Sequence, residues 1–471
     1  MWRWIILSVV SLMILALGVT YMASAGTPSA MRTARYESGP LLVTQVRIVD
    51  AEADRLSAPR DVLIEDGRIT RIETPGLIDP ANRRIVEGEG LYLMPGLIDT
   101  HVHVFDEADL AANLVQGVTT VRNMGGLPFH LSMERRIAEG RLLAPRFFTT
   151  GPITNERGGR NSDVLQHWVS GEEEARAEVR EQYERGFRHV KVYSNLSRES
   201  YTGILTEAER LGMQVSGHPV EGTQEAPMGF DATLMGRFTS IEHVESIIWH
   251  ALDDDTDRDR ARILADEIAA SGSTVSPTLV VHGNLARIVE TEGAHITRPE
   301  MSVFNPVISH FEQDRWGFWA GYPHTDRTEM QAFYTEFTGF LHEAGVPLVV
   351  GSDAGVMVTP HGISAHDELV WLTHAGLSPA EALQAATTTP AHMLGLNGQI
   401  GRVSEGYRAD LLLVEDNPLD DIYATRLVRA VIRDGIYLGP DERGRLHQAA
   451  ERHNRLRTWR RLIWHVLTRT D

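Results

Sequence analysis

Between Met94 and about Leu396, short apolar β runs alternate with helical stretches, and this alternation constrains the fold more than any other feature. Strands separated by helices call for a parallel sheet. Candidate strands centre on Ile98, Thr120, Phe148, Val192, Val215, Ile241, Val275 and Val349. A stretch of about 300 residues with that many units predicts a (β/α)8 barrel of the TIM type. Ser170-Gly171-Glu172-Glu173 reads as a capping box opening a charged helix that Gly186 ends, before the strand His189 to Tyr193. Ser378-Pro379-Ala380-Glu381 opens another helix in the same way.

Both flanks of this centre are strand-like. Val43, Val46 and Ile48, then Val62 and Ile64, alternate with polar residues, and Glu65-Asp66-Gly67 signals a hairpin turn. Ala409 to Val414 and Val428 to Tyr437 look similar. The expected fold class is therefore α/β. A barrel spans 94–396, and residues 41–93 and 397–440 pair into a small β-sandwich domain formed from both ends of the chain.

The two termini differ from the body. Arg3 precedes an uncharged run from Ile5 to Ala25, and Ala23-Ser24-Ala25 has the small-x-small form of a signal-peptidase site. Residues 1–25 read either as a cleaved signal peptide or as an N-terminal membrane anchor, since the run is also long enough to span a bilayer. No Arg-Arg pair precedes that run, so export by Sec is expected. The body would then be periplasmic or membrane-anchored, outside the cytoplasm. Residues 441–471 form a basic tail, in which Leu456, Trp459, Ile463 and Val466 recur at helical spacing. That tail suits either contact with anionic lipid or docking on an acidic body.

Charge and composition exclude several classes. The chain of 471 residues holds 64 acidic and 45 basic residues, a net charge of −19, which argues against nucleic-acid partners. It contains no cysteine, so disulfides, thiolate metal sites and a cysteine nucleophile are ruled out. Lys191 is the single lysine among those basic residues. A chain that uses arginine everywhere else has kept one amine there, and arginine cannot supply an amine.

The candidate chemistry gathers at strand ends. His101 and His103 stand two apart, so both imidazoles face one side of a strand. Lys191 ends the fourth candidate strand, His218 the fifth, His243 the sixth and Asp353 the eighth. Active sites of barrels are built at those carboxyl ends. Four imidazoles with carboxylate oxygens suit zinc or a similar divalent ion.

The run Pro95-Gly96-Leu97-Ile98-Asp99-Thr100-His101-Val102-His103, followed by Lys191, His218, His243 and Gly351-Ser352-Asp353-Ala354-Gly355, resembles the amidohydrolase superfamily. Gly117 to Arg122 and Glu405 to Leu411 look like that family's second strand and its return into the small domain. The likeness covers about Leu41 to Tyr437 and is greatest to the imidazolonepropionase-like and prolidase-like (Xaa-Pro dipeptidase-like) branch. It implies a binuclear centre of two divalent ions, with Zn2+ the leading candidate. His101, His103 and Asp353 would hold one ion, and His218 and His243 the other. Lys191, carboxylated by carbon dioxide to N6-carboxylysine, would bridge them. The resemblance further implies that a metal-bridging hydroxide hydrolyses an amide bond, with Asp353 taking its proton.

Other polar residues are candidates for binding substrate. Tyr193 and Asn195 lie just past Lys191, and Arg122 ends the second strand. His282 follows the seventh strand and His361 the eighth. A dipeptide or an N-acyl amino acid is the expected substrate, with a cyclic amide, imide or lactone as the alternative. A non-catalytic binding protein on the same fold would have lost ligands, and all six are present. A homo-oligomer acting on a small molecule or dipeptide is expected.

Overall fold

The computed structural model of the protein describes residue 24, residues 26–157 and residues 165–468. The reading of residues 1–25 as signal peptide or anchor therefore falls outside the described residues, apart from Ser24. Among the described residues no helix is long and apolar enough to cross a membrane.

A nine-stranded sheet gathers strands from both ends of the chain. Its order is Ile436–Leu438, Val428–Arg433, Leu411–Val414, Tyr92–Pro95, Leu41–Asp50, Arg60–Glu65 and Arg68–Glu73, with Arg55–Leu56 and Arg84–Glu87 also pairing with Leu41–Asp50. The strand Leu41–Asp50 serves two neighbourhoods. Its first residues pair antiparallel with Val62–Ile64, whereas Arg47 and Ile48 pair parallel with Tyr92 and Leu93. An irregularity between Val43 and Val46, with Gln45 at φ 55°, bends the strand between them. Val43, Val62, Ile64, Leu93, Leu411 and Ile432 pack together behind it as a buried apolar cluster. Asp66 and Gly67 both take positive φ in the two-residue hairpin turn, which matches the twist of the strands it joins.

The centre is built on parallel strands. Leu97–Val102, Val118–Asn123 and Arg146–Thr149 form a three-stranded sheet. A six-stranded sheet contains Ile153–Asn155, His189–Val192, Gln214–Gly217, Ser240–Glu242 and Val275–Ser276, with His167–Trp168 at its edge. The hydrogen-bond ladders thus divide into two parallel sheets and do not run as one continuous eight-stranded barrel. The expected strand at Val349 is reduced to two isolated parallel bridges, Leu348 with Val275 and Ala354 with Val102. Pairing with Leu97–Val102 is interrupted where the Val350 amide donates to Ala385 O, 2.7 Å away, and Ile98 N donates to Ala386 O. The same segment still touches both sheets: Val349 N donates to Val275 O, and Thr100 N donates to Val350 O.

Helix starts follow local chemistry. Ser378 and Glu381 form the expected reciprocal capping box. Ser170 differs, because its hydroxyl makes no cap bond; the backbone Ser170 N instead donates to Glu174 Oε2 at 2.9 Å. Gly186 ends that helix in the left-handed conformation. The C-terminal helix Arg455–Thr468 lies on the acidic start of helix Glu107–Val115. Arg457 Nη1 reaches both Asp106 Oδ1 and Glu107 Oε2 at 2.6 Å.

Candidate metal centre

Strand ends bring the six side chains to one place. Asp353 Oδ1 lies 2.9 Å from His103 Nε2 and 3.3 Å from His101 Nε2. These three residues offer mutually close ligand atoms. Lys191 Nζ stands 3.2 Å from His101 Nε2. The His243 ring centroid is 4.6 Å from that of His101 and 4.5 Å from that of His218.

The backbone is bent to achieve this. His243 has φ 69° and Asp353 has φ 53°, left-handed values that cost a non-glycine residue of order 1–3 kcal/mol and mark sites held by their surroundings. At His243 the bend breaks the strand's period of two, so Glu242 and His243 both face His101. Gly355, at φ 105°, passes so close to the site that a Cβ there would sit 2.1 Å from His103 O.

Three imidazoles are held from behind. His101 Nδ1 meets Glu242 Oε2 at 2.8 Å, His243 Nδ1 meets Thr278 Oγ1 at 2.8 Å, and His218 Nδ1 meets Ser246 Oγ at 3.2 Å. Each ring therefore keeps Nε2 for the cluster, the arrangement that orients metal-binding histidines. The His101 support continues inward. Arg122 Nη2 donates to Glu242 Oε1 at 2.8 Å and to Ser240 Oγ at 2.9 Å, and Arg122 Nε donates to Thr100 O at 2.6 Å.

Burial sets the protonation states. It pushes His101 and His218 well below the ordinary imidazole range, and the positive charge of Lys191 adds to the effect. It lowers His103 too. Burial alone would raise Asp353, but His103, His243 and Lys191 outweigh it and hold the carboxyl below its usual range. Burial brings the Lys191 amine down to about 8. Among the described residues His218 Nε2 is buried without a hydrogen-bond partner. Neutral imidazoles, an ionised carboxylate and an orphaned ring nitrogen fit a divalent cation, because a cation satisfies what no protein donor does.

The structure moves several expected substrate contacts elsewhere. Arg122 is wholly buried beneath His101, where Glu242 neutralises it, so it is not open to a substrate carboxylate. The Asn195 amide donates to Glu156 O and Arg157 O and ties down that loop. His361 is buried behind His103, with Nε2 3.2 Å from His103 O and Nδ1 3.1 Å from Asn113 Nδ2. His282 is also buried; its Nδ1 lies 3.1 Å from Arg327 Nη1 and its Nε2 3.5 Å from Glu245 Oε2. Tyr193 remains beside the cluster, its ring 4.1 Å from that of His218.

Sequence reasoning missed the supporting residues. Glu242 had one signal, an acid inside an apolar strand next to a candidate ligand. Thr278 and Ser246 carried none, since one hydroxyl among many has no mark. Asp99 carried no signal beyond its place in the run Pro95 to His103. It is buried, burial raises it to about 7, and it accepts from Ser352 N and His101 N. In that place it braces the turn that carries Asp353.

Fold and cluster together define a metal-dependent hydrolase. The amidohydrolase family profile matches residues 92–439, and the chain belongs to that family. It is thus an enzyme of a family that uses divalent metals and hydrolyses amide and peptide carbon–nitrogen bonds. An ochratoxinase from Aspergillus niger is 24% identical over 401 residues, which cover 72% of this chain and 73% of that one. A bottromycin amidohydrolase superposes with a TM-score of 0.72 at 25% identity, covering 91% of this chain and 94% of the other. A Xaa-Pro dipeptidase with bound methionine in its active site gives a TM-score of 0.65 at 21% identity, with 85% and 100% coverage. The last similarity is one of fold alone.

Proposed function

We propose that the chain hydrolyses the amide bond of dipeptides or N-acyl amino acids at a centre of two divalent ions. The observation that carries this reading is the convergence of His101, His103, Asp353, Lys191, His218 and His243. The names of two similar proteins, a Xaa-Pro dipeptidase and a bottromycin amidohydrolase, support an amide substrate. In the same reading the two parallel sheets act as one (β/α)8 barrel with the site at the carboxyl ends of its strands.

His101, His103 and Asp353 would hold one ion, and His218 and His243 the other. Bound there, zinc or a similar ion supplies Lewis acidity and makes water acidic near neutral pH. Lys191 would join the two sets as its carbamate. An amine brought down to about 8 is neutral in roughly a tenth of molecules at pH 7, and the neutral form is the one that captures carbon dioxide. Asp353, kept ionised beside both HxH imidazoles, accepts a proton from the attacking water and passes it to the leaving amine. Glu242, fixed by Arg122, holds the His101 ring in place throughout.

Amine release from a panel of dipeptides and N-acyl amino acids tests the reading, with the full chain supplied with zinc and bicarbonate. Hydrolysis of a subset is expected. Silence across the panel from a metal-loaded chain would contradict it and point to cyclic amides, imides or lactones.

A further inference from the structure

The C-terminal helix Arg455–Thr468 docks with its polar side and leaves its apolar side outside. Residues at the spacing i, i+4, i+8 face inward: Arg457 pairs with Asp106 and Glu107, Arg461 with Glu107, and His465 stacks on His167. Leu462 is the one large apolar residue of this helix that is buried. The opposite arc carries Leu456, Trp459, Ile463, Trp464, Val466 and Leu467, between 39% and 75% exposed. A helix that only needed to pack on the body would turn those residues inward.

The arc does not end at the helix edge. The Trp459 ring meets Phe311 edge-on at 5.2 Å, and Phe311 is itself 58% exposed on helix Pro306–Ala320. Phe318, two turns further along the same helix, is 60% exposed. Contiguous apolar surface of this kind marks an interaction site.

Two observations identify the occupant. First, tryptophans in an apolar arc next to exposed Arg452 and Arg455 are the composition of a helix lying in a bilayer interface. Second, Ser24, the first described residue and part of the uncharged run Ile5 to Ala25, lies against this helix. Arg457 Nε donates to Ser24 O at 2.9 Å, and Arg457 Nη2 donates to Gly26 O. A membrane segment leading into Ser24 would therefore bring the exposed arc to the lipid surface.

We propose that the face formed by helix Arg455–Thr468 and Phe311 lies flat on a phospholipid bilayer, with its tryptophans at the headgroup level. The inference is independent of the substrate and of the metal centre. It also commits the body to one orientation, with helix Pro306–Ala320 towards the membrane.

The absence of cysteine makes the test direct. Ile463→Cys in the full chain is labelled with a fluorophore, and Glu209→Cys, at an exposed position on helix Arg198–Leu211, is the control. The labelled chains are placed in vesicles of equal parts phosphatidylcholine and phosphatidylglycerol containing nitroxide lipid. Quenching at position 463 but not at 209 is expected, and adding Trp459→Ser and Leu467→Ser should lower the docked fraction roughly tenfold. An unquenched label at 463 on vesicle-bound protein would overturn the proposal. The same result with energy transfer between labelled copies would assign the face to a second copy of the chain. These substitutions lie outside the metal centre, so hydrolysis of a soluble substrate stays unchanged.

Discussion

Glu242 Oε2 lies 2.8 Å from His101 Nδ1, and the other oxygen of the same carboxylate accepts from Arg122. His101 and Arg122 come from adjacent strands of the three-stranded sheet and Glu242 from the six-stranded one, and together they form a buried line ending at the candidate metal cluster. Glu242→Gln keeps the shape but weakens the acceptor and leaves Arg122 without its counter-charge. Metal affinity should fall roughly 10–100-fold, read by competition with a chelator. Unchanged affinity would reduce Glu242 to a packing role.

Lys191 tests the proposed bridge between the two ion sites. Lys191→Ala should lose binuclear loading, and Lys191→Arg should do no better, because a guanidinium cannot form a carbamate. Metal content per chain measures this, and labelled bicarbonate should give a carbamate carbon resonance in the native chain alone. Full metal content and activity in Lys191→Arg would refute the carbamate.

Asp353→Asn separates binding from proton transfer. The amide still offers an oxygen to the cluster but cannot carry a proton. Turnover should drop roughly 10²–10⁴-fold while much of the metal is retained. Near-normal kcat would remove Asp353 as the base.

A pH effect arises well away from the metal centre. His366 is buried between Gln116 O and Thr425 Oγ1, and burial lowers it to about 4. The unfolded chain binds this proton near pH 6.5, more readily than the folded chain. The contribution to stability is therefore fully present above about pH 6.5 and is lost progressively as pH falls towards 4, by up to about 3 kcal/mol. Urea unfolding of the native chain and His366→Gln at pH 7 and pH 4.5 checks this. The difference between them should narrow at the lower pH.

Patterns with a fixed period were legible in the sequence. His101 and His103 share a face because a strand alternates, and the capping box at Ser378 needs only residues three apart. Seven of the eight strand centres fall within strands for the same reason. Features that depend on distant partners were not legible. The eighth strand is interrupted at Val350, whose amide and that of Ile98 are taken by Ala385 O and Ala386 O, far along the chain. Arg122 looked available to a carboxylate because its partner Glu242 is 120 positions away. His361 and Asn195 were read as pocket residues from their place after strands, but each is taken up by a backbone carbonyl that only the folded loop brings near. The left-handed φ of His243, which turns Glu242 inward, has no sequence signature.

The central claim is that six side chains form one divalent-metal centre that cleaves amides. A zinc titration of the full chain in bicarbonate, followed by metal per chain and amine release in the same samples, tests it most directly. Amine release should track saturation at two zinc per chain, and His218→Asn should reduce both together. Amine release at full rate without bound metal, or from His218→Asn at native level, would contradict it.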